Sequence, residues 1–118
     1  MDNELENELI KIERQLWSAR GDSKIFDKYL STAFHFNVSY EDGYYNKKLF
    51  TEKASVAPLW KSVLIDDYEF TSLSPAMALV TYEVEAEYET GGFYNVGVIS
   101  VYSKEGGIWK VLLHNHYF

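Results

Sequence analysis

The stretch Trp109-Lys110-Val111-Leu112-Leu113-His114-Asn115-His116-Tyr117-Phe118 decides how the rest of the chain is read. It follows the pair Gly106-Gly107, and with the segment opened by Gly91-Gly92 it reads as the last two strands of an antiparallel meander. In a regular strand Trp109, Val111, Leu113 and Asn115 share one face, and Lys110, Leu112, His114 and His116 share the other. The charge of Lys110 favours turning the Trp109 set inward, while a bulge would swap part of it. His114 and Asn115 are therefore joint candidates for polar groups at the mouth of a cavity.

Working back from this tail, strands are predicted at residues 63–73, 78–88, 94–103 and 108–117, separated by Ser74-Pro75, Gly91-Gly92 and Gly106-Gly107. In the second of these, Val80, Tyr82, Val84, Ala86 and Tyr88 alternate with Thr81, Glu83, Glu85 and Glu87, so one face meets a core and the other meets water or a partner. The third differs, because Val96 and Val98 lie on one side and Ile99 and Val101 on the other. A strand apolar on both sides needs cover on its outer face, and in a chain this short a second copy of the same sheet is the expected cover. A homodimer through the outer sheet face is therefore expected.

Ahead of the meander the period changes. Leu5, Leu9, Ile12 and Leu16 recur at helical spacing, while Glu4, Glu6, Glu8, Lys11, Glu13 and Arg14 fall largely away from that stripe. A helix over about residues 2–20 follows, with Gly21 placed to end it. Asp22 or Ser23 can cap a short second helix through Ile25, Phe26, Tyr29 and Leu30. Phe34, Phe36, Val38 and Tyr40 alternate with Ala33, His35, Asn37 and Ser39, a half-buried strand closed by the turn Glu41-Asp42-Gly43. Asn46 can cap a third helix through Leu49, Phe50 and Ala54, and Pro58 stops it. Helices first and strands after give an α+β fold, read as one domain over residues 1–118.

Composition narrows the function classes. The 118 residues carry 11 Lys and Arg against 18 Asp and Glu, a formal charge of −7 that repels phosphate backbones and anionic membrane surfaces. No apolar run reaches bilayer length and the start is acidic, so no nucleic-acid or membrane partner is expected and the chain reads as soluble and cytoplasmic. Cysteine is absent, which removes disulfides and thiolate chemistry. The 10 Tyr, 7 Phe and 3 Trp could fill a core or line a cavity. No phosphate loop, nucleophile elbow or metalloprotease motif occurs. His114 and His116 have a spacing that could share a metal with Glu83 or Glu85, but two histidines are not a site, and neither metal nor cofactor is expected.

The segment from Glu8 to Trp17, then Gly21-Asp22, Tyr29-Leu30 and Phe34, resembles the opening of the nuclear-transport-factor-2-like superfamily. The similarity continues through Ala78 to Tyr82 and through Gly107 to Asn115, and looks most like the SnoaL-like group, including uncharacterised bacterial domains whose last strand reads Trp-basic-apolar-apolar-x-His-Gln. The resemblance implies a cystatin-like cone: three N-terminal helices on the concave face of a curved antiparallel sheet, an apolar pocket between them, and dimers through the outer face. Its members include ketosteroid isomerase, polyketide cyclases, scytalone dehydratase, epoxide hydrolases and noncatalytic assembly domains, so fold leaves function open. The isomerase's oxyanion tyrosine has no counterpart on the first helix, where Trp17 is the large aromatic. Glu41-Asp42 lies near the isomerase's base, but Gly43 makes it a turn, and Asn115 stands where the bacterial group has Gln.

Two functions follow. One is a pocket for a small apolar molecule, lined by Trp17, Tyr40, Trp60, Tyr82 and Asn115, with His114 or His35 as general acid or base for proton transfer of an isomerase, cyclase or dehydratase kind. The other is a noncatalytic homodimeric interaction or accessory module presenting the stripe Glu83, Glu85, Glu87 and Glu89.

Overall fold

The computed structural model describes residues 1–19 and 22–118. Gly21 and the predicted last helical residue, Arg20, lie outside them. The described residues form α1 (Asn3–Ser18), α2 (Ser23–Tyr29), β1 (Leu30–Val38), α3 (Lys47–Val56), β2 (Trp60–Ser74), β3 (Met77–Tyr88), β4 (Phe93–Glu105) and β5 (Ile108–Tyr117). Side-chain oxygens start each helix: Asp2 accepts from the Leu5 N–H, Asp22 from Lys24 and Asn46 from Leu49, satisfying donors that have no partner within the helix. The first strand begins earlier than its alternation suggested, because Leu30 leaves helical geometry at the end of α2 and enters β1 directly.

The strands form one sheet in the order β1-β5-β4-β3-β2. β2 to β5 are an antiparallel meander, and β1 lies parallel to β5 at its far edge. Its register is irregular at several points, among them one within β2 and one within β5. In β2 the register with β3 shifts between Asp66 and Glu69, where Asp67 takes a φ of 59°. In β5, Val111 pairs with Tyr102 and Leu113 with Val101, so Leu112 is an extra residue. Such bulges bend the bulged strand and increase its twist.

The inner face carries Val80, Tyr82, Val84 and Ala86 of β3 and Val96, Val98, Ser100 and Tyr102 of β4, all buried. Against it α1 turns Leu9, Ile12, Glu13 and Trp17, and α2 supplies the buried Phe26. Phe50 of α3 packs on Phe34 and Phe36 of β1, with ring centroids 5.1 and 4.8 Å apart. On the outer face the register aligns Leu79, Val101 and Leu113 across three strands, and beside them Thr81, Ile99 and Asn115. The next row holds Glu83, Gly97 and Tyr117. There the Tyr117 ring lies where a Gly97 side chain would stand, 2.1 Å from an ideal Cβ. No helix among the described residues is long and apolar enough to cross a membrane.

Candidate functional site

Leu112 determines the site. Its extra position lets Trp109 and Val111 face inward before it and His114 and His116 face inward after it, and all four are buried. The unbroken alternation that would have sent both histidines outward is thus corrected. Leu113 and Asn115 take the outer face instead. Asn115 donates to the Asn37 side-chain oxygen at 2.8 Å, tying β5 to β1 rather than lining the cavity.

Behind the histidines sits a group the sequence reading placed away from the core. Glu13 is fully buried on α1. It stands four residues after Leu9 and four before Trp17, on the same helical face. Its carboxylate accepts hydrogen bonds from the hydroxyls of Tyr82 and Tyr102, and from the Ser100 hydroxyl at 3.0 Å. All three donors occupy inward positions of β3 and β4. Burying a carboxylate is costly unless it is hydrogen-bonded, and here three hydroxyls supply that compensation. Trp17 Nε1 donates to the Tyr82 oxygen at 2.9 Å, extending the network back to α1.

The network continues toward the cavity. Ser100 Oγ lies 2.7 Å from His114 Nδ1, His114 Nε2 lies 3.0 Å from His116 Nε2, and His116 Nδ1 lies 2.8 Å from the Tyr94 hydroxyl. The Glu13 carboxylate is 3.7 Å from His114 Nδ1. Burial lowers the pKa of His114, partly opposed by the Glu13 charge. Burial and the neighbouring His114 lower that of His116 much further. Burial, then the Glu13 charge, raise the pKa values of Tyr82 and Tyr102 well above that of an ordinary phenol. These directions favour the neutral forms of the two imidazoles and the two phenols that surround the Glu13 carboxyl group.

In front of His116 opens a cavity of about 760 Å³, lined in part by Trp17, Phe36, Phe50, Trp60, Tyr94 and His116. The rings are mutually supported: Trp17 stacks on His116 with centroids 5.1 Å apart and planes 8° from parallel, and Trp60 meets Trp17 at 5.6 Å. Tyr40 reaches the cavity from an exposed position, and His114 also borders it. Tyr82 is buried behind Trp17 and binds Glu13, so its contribution is support rather than lining. His35 stacks on Tyr44 at 3.7 Å and is not among the cavity residues. The expectation of His35 in the pocket is corrected by the alternation of β1, which turns Phe34, Phe36 and Val38 inward. Glu83 and Glu85, considered with the histidines for a metal, sit on strand positions alternating with the inward Tyr82 and Val84, away from the imidazoles.

Solved structures share this fold over nearly the whole chain. An NTF2-like protein from Cytophaga hutchinsonii superposes with a TM-score of 0.82 at 17% identity, covering 99% of this chain and 98% of its own. An NTF2-like protein from Rhodospirillum rubrum, of unknown function in nutrient uptake, gives 0.79 at 14% identity over 92% and 96%. The chain has the nuclear-transport-factor-2-like fold. A protein from Parabacteroides distasonis, provisionally named a ketosteroid isomerase, shares it with a TM-score of 0.76 at 11% identity over 93% and 84%. No family model matches the sequence, and no curated protein does. Identities this low carry the fold and leave the function to the site.

Proposed function

We propose that the protein binds a small, mainly apolar molecule in the cavity between α1, α3 and the sheet. One observation supports this above the others: about 760 Å³ of space walled largely by aromatic and aliphatic side chains is bordered by His116 and Tyr94, which are backed by a buried carboxylate, while Arg14, Lys53 and Lys61 also line it. Ligand pockets combine apolar walls with a few convergent polar groups in this way. The chemistry the cluster supports is proton transfer with the bound molecule. Both nitrogens of His114 and both of His116 are already engaged, so the two histidines are positioning residues acting through the Tyr94 hydroxyl.

Calorimetric titration with 2-methoxynaphthalene tests the binding role. One-to-one binding is expected, and Ala54→Trp, which projects an indole into the lining, should abolish it without unfolding the protein. Binding that survives Ala54→Trp, or none at all, overturns this reading.

A second reading rests on the outer sheet face, where Leu79, Ile99, Val101 and Leu113 form a half-buried apolar patch on adjacent strands. A second copy of the chain pairing through it would give a homodimer, compatible with either a ligand-binding or an accessory role.

A further inference from the structure

The hydrogens of the buried network can be assigned one by one. An indole nitrogen only donates, so the Tyr82 oxygen receives the Trp17 N–H and its own hydrogen goes to Glu13. An ionised carboxylate only accepts, so Ser100 spends its single hydrogen on Glu13, and its oxygen must receive one from His114 Nδ1. A neutral His114 protonated at Nδ1 presents a bare Nε2. The facing His116 Nε2, 3.0 Å away, must then carry the hydrogen, since two bare nitrogens at that distance would repel. That leaves His116 Nδ1 bare, and the Tyr94 hydroxyl donates to it.

Tyr94 therefore has no hydrogen to offer the cavity, only oxygen lone pairs. We infer that Glu13, through Ser100, His114 and His116, fixes Tyr94 as a hydrogen-bond acceptor toward the cavity, so that a molecule seated against Tyr94 is favoured when it bears a hydroxyl or similar donor there over an ether or ketone of the same shape. This rests on the ligand-binding reading above and adds the chemical class of its ligand. The same polarity makes the series a proton acceptor. If a ligand hydrogen passes to Tyr94, the Tyr94 hydrogen moves to His116 Nδ1, and the His116 Nε2 hydrogen moves to His114. The His114 Nδ1 hydrogen then moves to Ser100, and that of Ser100 to Glu13. The ligand is left as an anion and Glu13 as a carboxylic acid, so protons and charge balance.

The test pairs 2-naphthol with 2-methoxynaphthalene, which share the ring system and differ in the donor, and measures both by calorimetry with the wild type and with Tyr94→Phe. The expected preference for naphthol is about tenfold in the wild type, the scale of one hydrogen bond, and about onefold in Tyr94→Phe. Equal affinities in the wild type, or a preference unchanged by Tyr94→Phe, overturn the inference while leaving the pocket in place. Failure of both probes to bind overturns the pocket reading and this inference with it. Nitrogen-15 NMR of the ligand-free protein supplies a second measurement that needs no ligand. His114 should be protonated at Nδ1 alone and His116 at Nε2 alone, and Ser100→Ala should disturb the His114 assignment. The opposite tautomers, or no change in Ser100→Ala, overturn it.

Discussion

The Trp17 indole donates to the Tyr82 oxygen at 2.9 Å, so two side chains 65 positions apart, one on α1 and one on β3, are joined before either meets the buried carboxylate. Tyr82 is at once the acceptor for Trp17 and a donor to Glu13. Tyr82→Phe keeps the ring and removes both bonds. The expected loss is about 1–3 kcal/mol, because a buried indole N–H is left without an acceptor and the carboxylate loses a donor. Chemical denaturation of the two proteins measures it. A loss within about 0.5 kcal/mol, the range of surface substitutions, would show that this contact is not held in solution.

Removing the carboxylate should cost more. In Glu13→Leu three hydroxyls lose one acceptor together, and an expected destabilisation of about 3 kcal/mol or more follows from several buried donors left unpaired. Adding Tyr102→Phe to Glu13→Leu should recover part of that loss, since the second change removes one of the orphaned hydroxyls. Additive losses in the double variant would contradict the coupling.

Much of this fold is legible in the sequence because it is written in patterns of period two and three to four. Leu9, Ile12, Val80, Val84 and Val96 advertise their burial by spacing alone, and Asp22, Asn46 and the glycine pairs mark the ends. The site is less legible because it breaks those patterns. Leu112 is indistinguishable by composition from its neighbour Leu113, yet it is the inserted residue that brings His114 and His116 to the same face as Trp109. Glu13 reads as one more solvated charge of an acidic helix. The signal that could have found it is joint: a carboxylate in line with Leu9 and Trp17, opposite strands whose inward positions carry Tyr82, Ser100 and Tyr102.

The histidines should make stability depend on pH in a defined direction. Burial lowers the pKa of both in the folded protein, so the unfolded chain binds their protons more tightly. Their contribution is complete above the unfolded histidine value, about 6.5, and is lost as pH falls from there toward the folded values, at up to about 1.4 kcal/mol per pH unit for each imidazole. Urea midpoints should therefore fall between pH 7 and pH 5, and the fall should be shallower in His116→Phe, which keeps an aromatic ring against Trp17. A flat profile in the wild type would mean that the imidazoles are already solvated or charged.

The outer face yields the remaining prediction. Ile99 and Val101 lie on the central strand β4, flanked by Thr81 and Leu79 on one side and Asn115 and Leu113 on the other. The helices pack on the opposite face, so nothing among the described residues supplies a second layer here. Burying each such aliphatic side chain is worth about 1.5–3 kcal/mol, and a pairing that covers the patch on two copies counts each residue twice. The acidic Glu83 and Glu85 border the patch on β3 and would limit how far the two sheets overlap. Ile99→Lys places a charge at the centre of the patch without touching Glu13, His114 or the cavity. Sedimentation is expected to show a dimer for the wild type and a monomer for Ile99→Lys, with naphthalene-probe binding retained in both. A wild type that sediments as a monomer at micromolar concentration would assign the patch to some other cover. A dimer unaffected by Ile99→Lys would place the interface elsewhere on the molecule.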